Sequence, residues 1–427
     1  MCKQQNSPQE YIYTQSVSEY INAIQHIIKK ERKNDSDFDK KYEVYFRGHI
    51  DNKYFLIPSL LRNETGNKDL LGQACKEIVD NEHIAFRSLV AKHPSEFAEC
   101  KSAIEYLVKM QHYKLKTRLL DITSNALVAL YFACTTESGD VNDTLGEVIV
   151  FKLPKRIIKH YDSDTISAVT NIARCKPTDF IFSLRGEKNQ LSDFVNGLND
   201  PGCKRKKPTY NNYQSALLSK SNGSNSTQKQ GMSPYNSNEI SETDSFAWPP
   251  LHGIPQTKTQ DFNNFYIAQI QEVDTSEDTF VSNEYKVWFN KQLCYLHHQI
   301  KAEKPYYNPL IEPYDLGKIW AIKTKLENPR IINQSGSFLL FGLGISEKVI
   351  NEQTLLTYTK EFHPQIPDTW IAGRIGIGAH CNNIKDNKKN IVQQLSMLGI
   401  DHSFIFPDLE TAAKEINKQL LSSKTDK

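Results

Sequence analysis

The sequence predicts an α+β fold: a mixed or antiparallel sheet with flanking helices, an N-terminal helical cap and one long disordered insertion. Three observations predict it. Apolar residues recur at helical spacing between Val17 and Ile28, whereas residues 146–153 are rich in the β-branched side chains that favour strands. Ser, Asn, Gln, Gly and Thr make up 22 of the 35 residues 211–245 by count. So polar a segment buries too little apolar surface to offset the entropy of ordering it.

The composition is that of a globular protein with long polar loops. The 427 residues leave room for two to three domains, or for one large domain with insertions. A net charge of +2 does not demand an acidic partner, and a dedicated nucleic-acid binder would more often show a larger basic excess. The eight cysteines form no Cys-x-x-Cys pair, so we expect a reducing, cytoplasmic setting. No run of 18 apolar residues occurs, so we expect no membrane partner.

The N-terminal part is expected to alternate helices with strands. Residues 1–15 are predicted to be flexible, and Ser16 is a candidate cap for the helix that follows. Residues 42–47 are predicted to form a strand that presents Phe46 and Arg47 on opposite faces.

The remaining segments divide the chain around the insertion. Beyond it, the sequence predicts a helix over 284–300, strands over 318–323 and 337–342, and helices over 391–398 and 409–421. The sequence predicts a flexible N-terminus over 1–15 and the first part of one domain over 16–200. An insertion or linker is predicted over 201–260, the remainder of the domain with C-terminal helices over 261–421, and a flexible tail over 422–427.

Arg47, at the end of an otherwise apolar strand, is the first candidate site residue. A buried guanidinium is costly unless something pairs with it. An ion pair with a carboxylate such as Asp121 would satisfy it, and so would a bidentate grip on a phosphate or carboxylate of a ligand. Gly48 favours the second interpretation, since a missing Cβ lets a ligand approach the backbone. From the residues alone, both interpretations stay open.

A second group of polar residues crowds into one short segment before an apolar helix. Its members are Gln111, His112, Thr117, Arg118, Asp121, Thr123 and Ser124. The helix over 126–133 is apolar on nearly every face, which places it in the core and its N-terminus at an enclosed polar site. Asp121, Thr123 or Ser124 would cap it, and an anion is favoured at such an end. The alternative is structural: Arg118 pairs with Asp121 while Thr123 caps the helix.

A third segment, residues 328–341, leads from polar residues into an apolar strand and places Gln334 at the strand entry. We predict no metal site, because Cys294, His297 and His298 have no partner pair at the spacing that zinc needs. The basic run within 203–207 is expected to be a solvated loop.

These three segments resemble the FRG domain family, which is named for its Phe-Arg-Gly motif. The family shows an aromatic-Arg-Gly strand, matched by Tyr-Phe-Arg-Gly at 45–48. A Gln-His-x-x-x-x-Thr-Arg-Leu-Leu-Asp stretch follows, matched at 111–121, and runs into an Ala-Leu-Tyr-Phe-Ala helix, matched at 129–133. A later Asn-Pro-Arg-Ile-x-x-Gln-x-Gly-x-Phe stretch is matched at 328–338. With the family-like C-terminal end, the ordered resemblance spans roughly residues 16–420, interrupted by the insertion.

A weaker resemblance is to ADP-ribosyltransferases of the Arg-Ser-Glu type, which also open with an aromatic-Arg-Gly strand. It implies that Arg47 holds the pyrophosphate of NAD, and that Thr123 and Ser124 lie where that family has its Ser-Thr-Ser element. Gln334 stands where the family has its catalytic glutamate. An amide cannot balance the positive charge that builds on the ribose, so Asp121 is the carboxylate that would substitute.

The resemblance therefore implies an NAD-consuming enzyme, by ADP-ribosyl transfer or NAD hydrolysis, in a toxin or defence effector. Asp121, Gln334 and His112 are the expected catalytic residues. The expected ligand-binding residues are Arg47, Gly48, Gln111, Thr117, Arg118, Thr123 and Ser124. The ligand is expected to be a nucleotide, with a protein or nucleic acid as acceptor.

Two other functions stay open on the sequence. One is a non-catalytic module that binds a nucleotide or a phosphorylated partner through Arg47 and Arg118. The other is nucleic-acid binding through the basic run within 203–207, which would weaken strongly with salt.

Overall fold

The computed structural model describes residues 11–62, 76–176, 183–186, 286–287, 291–307, 313–350, 353–378, 383–408 and 413. The predicted insertion over 201–260, with its basic run, lies outside the described residues. So do most of the predicted helix over 409–421 and the predicted tail over 422–427. Within the described ranges the chain has an α+β structure with a mixed sheet, which confirms the predicted fold class.

Strands and helices alternate along most of the described chain. The strands are β1 Tyr11–Thr14, β2 Tyr42–His49, β3 Leu119–Thr123, β4 Gly146–Pro154, β5 Ile158–His160, β6 Ser183–Gly186, β7 Lys286–Val287, β8 Ile319–Lys323, β9 Gly336–Phe341, β10 Gly344–Ile350, β11 Gln353–Thr359 and β12 Ile371–Ile377. The helices are α1 Val17–Asn34, α2 Phe38–Lys41, α3 Lys76–Asp80, α4 Glu82–Lys92, α5 Ala103–His112, α6 Ala126–Cys134, α7 Asp164–Thr170, α8 Lys291–Glu303, α9 Pro313–Leu316, α10 Pro329–Asn333, α11 Ile384–Met397 and α12 His402–Ile405.

The main sheet has the strand order β1-β12-β4-β2-β3-β9-β8-β5. Its two edge pairs, β1 with β12 and β5 with β8, are parallel, and the pairs between them are antiparallel. A second, antiparallel sheet has the order β10-β11-β6-β7. The edge strand β1 falls within the segment 1–15 that was predicted to be flexible.

Apolar cores cover both faces of the main sheet, as the alternation along β4 illustrates. Val148 and Val150 pack with α1, α6 and α11, whereas Ile149 and Phe151 pack with α4, α5, α7 and α8. The predicted N-terminal helix is confirmed as α1, and the Ser16 hydroxyl caps it by accepting from the Glu19 amide at 3.2 Å. No helix of the described ranges combines the length and the apolar character that crossing a membrane requires.

The apolar helix α6 lies in the core, as predicted, and packs against β2. Its cap is Asn125, whose side chain accepts from the Leu127 amide at 3.0 Å. None of the predicted caps (Asp121, Thr123 and Ser124) has this role. Asp121 and Thr123 belong to β3, because pairing with β9 gives this segment a strand's hydrogen bonds.

Gly48 is required by the helix and not by a ligand. A Cβ at this position would lie 2.0 Å from the carbonyl oxygen of Ala129 and 2.8 Å from the amide nitrogen of Ala133. The backbone of α6 therefore fills the space next to Gly48. The prediction that Gly48 admits a ligand is corrected: its missing side chain lets α6 lie directly on β2.

Candidate functional site

The site is built where two neighbouring strands separate. β2 pairs with β4 along all of its length, yet it pairs with β3 at one position alone, Phe46 with Thr123. The next residue, Arg47, places its guanidinium between the diverging strands. Its Nη1 donates to the carbonyl oxygen of Asp121, and its Nε donates to His49 Nε2 at 2.9 Å. The side chain is only 15% exposed, so these two hydrogen bonds hold Arg47 firmly.

Asp121 supplies an oriented and exposed carboxylate beside this cation. Its side chain is 63% exposed, and its Oδ2 lies 3.8 Å from Arg47 Nη1. Both carboxylate oxygens accept from Gln111 Nε2 at 2.9 Å. The Gln111 amide is itself oriented, because its Oε1 accepts from the Thr117 hydroxyl at 2.8 Å. The structure thus brings together four of the predicted residues: Arg47, Gln111, Thr117 and Asp121.

The charge at the opening favours an anion. Burial lowers the pKa of Arg47 to about 10; the Asp121 carboxylate opposes this shift and the nearby Arg62 guanidinium adds to it. Arg47 therefore stays charged at neutral pH. Arg62 follows the turn Ser59–Leu61 and is fixed by donation from its Nε to the Ile57 carbonyl at 3.0 Å. Two guanidinium groups against one carboxylate leave a net positive charge, which attracts anionic ligands.

The buried His49 side chain holds the Arg47 guanidinium through a hydrogen bond. It is buried, and because its Nε2 accepts from Arg47, its proton belongs on Nδ1, which faces Glu147 Oε2 at 4.0 Å. Glu147 is also buried and accepts from Tyr11 at 2.8 Å and from Arg374 at 2.9 Å. Burial, with the Arg47 charge as the next cause, lowers the pKa of His49 to about 2. The imidazole is therefore neutral in the folded protein.

A neutral, buried His49 should make the fold sensitive to acid. The unfolded chain takes up a proton at this residue below its ordinary pKa of 6.5, whereas the folded protein does so only near 2. The contribution of the neutral His49 to the free energy of unfolding is present above pH 6.5, and it falls by about 1.4 kcal/mol per pH unit below pH 6.5. Between pH 7 and pH 5 we expect wild type to lose about 2 kcal/mol more than His49→Gln, measured by urea unfolding. Glutamine suits the comparison because it accepts from Arg47 and does not titrate.

The matched control is His26→Gln, which changes an exposed histidine on α1. It should lose stability in parallel with wild type over the same pH range. Equal pH dependence of wild type and His49→Gln would show that His49 is not held neutral.

Thr123, Ser124 and Gln334 lie together at the far end of β3 and fix the backbone there. The Thr123 hydroxyl donates to the Gln334 carbonyl at 2.6 Å and accepts from the Asn125 amide at 2.9 Å. The Ser124 amide donates to the Ser335 carbonyl at 3.2 Å. Gln334 Nε2 donates to the Ile405 carbonyl at 3.0 Å, which ties α10 to α12. In this structure these polar groups are used to join the entry of α6 to β9 and α12.

Arg118 lies away from the opening. It is 1% exposed, and its Nε and Nη2 donate to the two carboxylate oxygens of Glu82 at 2.8 and 2.6 Å. Its Nη1 donates to the Phe341 carbonyl at 3.0 Å. Lys360 adds a second buried cation, donating to Glu82 Oε2 at 2.8 Å. The structure gives Arg118 this internal role in place of the predicted ligand contact, and it also replaces the alternative pairing with Asp121.

His112 is another residue that was expected to be catalytic. It ends α5, and its ring lies against Tyr113, with centroids 5.2 Å apart. Burial lowers the pKa of His112, followed by the charge of Arg330, which Asp408 opposes. Its neighbour Gln111 makes the contacts to Asp121 instead. Sequence reasoning missed His49, two residues beyond Arg47 on the same face of β2, and Arg62.

Comparison with known proteins gives one match. Residues 42–141 match the family model of the FRG domain. This range includes β2, β3 and α6, and with them Arg47, Gln111 and Asp121, whereas Gln334 lies beyond it. No curated protein and no solved structure matches the chain.

Proposed function

We infer, from the premise that this chain contains an FRG domain over residues 42–141, that the Arg47 opening binds NAD and cleaves its nicotinamide–ribose bond. Arg47 would hold the pyrophosphate and Asp121 would face the ribose that carries nicotinamide. The released ADP-ribosyl group would pass to water or to an acceptor nucleophile.

The observation that carries this proposal is the exposed carboxylate of Asp121 beside the Arg47 guanidinium. A site that only binds an anion gains nothing from a second negative charge 3.8 Å from its arginine, since that carboxylate repels the ligand. A reaction that creates positive charge on a sugar next to a bound phosphate can use a cation for the phosphate and a carboxylate for the sugar. The arrangement therefore favours cleavage over the non-catalytic module.

The chemistry follows from these charges. When the bond between nicotinamide and ribose breaks, its electron pair leaves with the nicotinamide nitrogen and the sugar carbon becomes positive, as in glycoside cleavage. Asp121 would stabilise that charge. Gln111 keeps the carboxylate oriented by donating to both of its oxygens, so little reorganisation is needed as the charge develops.

Two substitutions separate binding from cleavage. Arg47→Lys keeps the positive charge but removes the planar guanidinium, which can donate two parallel hydrogen bonds to a phosphate. We therefore expect NAD to bind about 10- to 100-fold more weakly. Asp121→Asn keeps the shape and removes the charge. We expect NAD affinity to stay the same or rise, because a charge that repels the phosphates is removed, while nicotinamide release falls about 100-fold or more. The measurements are calorimetric NAD titration and chromatographic nicotinamide quantification.

Arg32 and Asp39 provide matched controls, because they form an exposed ion pair at 3.0 Å elsewhere in the chain. Arg32→Lys and Asp39→Asn should leave binding and release unchanged. NAD affinity that is the same in Arg47→Lys and wild type would refute the assigned site. NAD bound through Arg47 with no release would leave the binding module as the better function.

A further inference from the structure

The segment over residues 50–62 spans the gap between the diverging strands that hold Arg47. It leaves β2 after His49, and the Leu60 amide donates to the Thr117 carbonyl at 3.2 Å. Thr117 lies just before β3 begins. Because β2 and β3 are antiparallel, the end of β2 faces the start of β3 across this gap. The segment therefore joins the two strands on the side where they no longer pair.

Tyr54 shows that this segment reaches the Arg47 site. Its ring lies edge-on to the ring of His49, with centroids 6.1 Å apart. His49 is the residue whose Nε2 accepts from Arg47 Nε at 2.9 Å. Tyr54 is itself 51% exposed. The segment thus contacts the buried histidine that holds Arg47 and presents an accessible surface beside it.

Arg62 ends this segment and brings a second guanidinium to the site. Its side chain is exposed, and its Nε donates to the Ile57 carbonyl at 3.0 Å. Among the residues that the structure describes, none accepts from its Nη1 or Nη2 and no carboxylate forms an ion pair with it. Desolvation lowers the pKa of Arg62, and Tyr54 and Asp121 oppose this shift. Arg62 therefore acts on the same carboxylate as Arg47.

Arg47 leaves little of its guanidinium for a ligand with two phosphates. Its Nε and Nη1 already donate to His49 and to the Asp121 carbonyl, and the side chain is 15% exposed. Arg62 keeps both terminal nitrogens for a ligand, in the paired geometry that suits a phosphate. Two guanidinium groups near one carboxylate also repel each other, and an anion bound by both removes that cost.

We propose that Arg62 binds the second phosphate of a ligand whose first phosphate contacts Arg47, so that the site selects diphosphates over monophosphates. This inference rests on the proposed function and adds a specificity-determining residue to it. The pyrophosphate of a dinucleotide carries one negative charge on each phosphate, which matches one guanidinium for each. The second phosphate would reach Arg62 directly from solvent, because that side chain is exposed.

Calorimetric titration of the full chain with ADP and with AMP tests this inference. We expect wild type to bind ADP at least about tenfold more tightly than AMP. Arg62→Gln should weaken ADP binding about 10- to 100-fold and AMP binding less than about threefold, because one charge-assisted contact to the second phosphate is lost. Arg62→Lys keeps the charge without the paired donors, so it should also lose most of the preference for ADP.

The matched control is Lys53→Gln, which removes an exposed cation from the same segment. It should keep the preference of wild type for ADP. If Arg62→Gln weakens ADP and AMP equally, or if Arg62→Lys binds ADP like wild type, the residue acts through the fold or through overall charge. Either result would refute the phosphate contact.

The outcomes also separate this inference from the proposed function. If Arg62→Gln binds ADP as tightly as wild type while Arg47→Lys weakens NAD binding, the second phosphate contact is refuted and the proposed function stands. If wild type binds neither NAD nor ADP, both fail.

Discussion

Replacing Glu82 by glutamine is expected to destabilise the folded protein by about 3–5 kcal/mol, because it leaves two buried cations without their counter-ion. Glu82 accepts from Arg118 at 2.8 and 2.6 Å and from Lys360 at 2.8 Å, and all three side chains are buried. Burial alone would raise the pKa of Glu82, yet the two cations lower it to about 2. The carboxylate is therefore charged at neutral pH, and its charge is what the glutamine lacks.

The loss should depend on which partner is removed. Lys360→Met leaves Arg118 and Glu82 as a neutral pair with both of its hydrogen bonds, so it should cost less than Glu82→Gln. Glu77→Gln changes an exposed carboxylate on the neighbouring α3 and serves as the control, with a change within about 0.5 kcal/mol. Urea unfolding measures all three. A Glu82→Gln loss no larger than that of Glu77→Gln would contradict the buried cluster.

Gly48→Ala is the second substitution expected to have a large effect, destabilising the protein by about 3 kcal/mol or more. The added Cβ would lie 2.0 Å from the Ala129 carbonyl oxygen, a backbone atom of a buried helix. No side-chain rotation relieves such a contact, so α6 must move away from β2. Since Arg47 is the adjacent residue, NAD binding should fall with stability.

The control for this prediction is another strand glycine with room for a methyl group. At Gly336 on β9 a Cβ would meet its nearest atom, Ile331 Cγ2, at 3.5 Å, which is ordinary contact. Gly336→Ala should change the free energy of unfolding by less than about 1 kcal/mol. Equal stability of Gly48→Ala and Gly336→Ala would show that α6 does not lie on β2 as described.

The fold class followed from local patterns, and the exceptions have physical causes. β2 and β4 are long and rich in apolar or β-branched residues, so they were predicted close to their observed bounds. β3 was not predicted as a strand, because Asp121 and Thr123 interrupt its apolar pattern. Its hydrogen bonds come from β9, more than 200 residues away in sequence. β1 has only four residues, too few for a period to appear.

The site was predictable where its residues belong to the two polar motifs of the sequence. Arg47, Gln111 and Asp121 were expected to meet, and they do. Arg118 was misassigned because its partner Glu82, 36 residues earlier, shows no local signal of pairing. His49 was missed because burial and the neighbouring Glu147 arise only when β2 pairs with β4. The role of Gly48 was misread, since only the packing of α6 shows what occupies the space beside it.

Cleavage at this site is best measured as nicotinamide release from NAD under single-turnover conditions, with the wild-type chain in excess over NAD. We expect each bound NAD to be converted to nicotinamide and an ADP-ribosyl product, at a rate that the Asp121 carboxylate controls. NAD that binds and is recovered intact would contradict cleavage at this site.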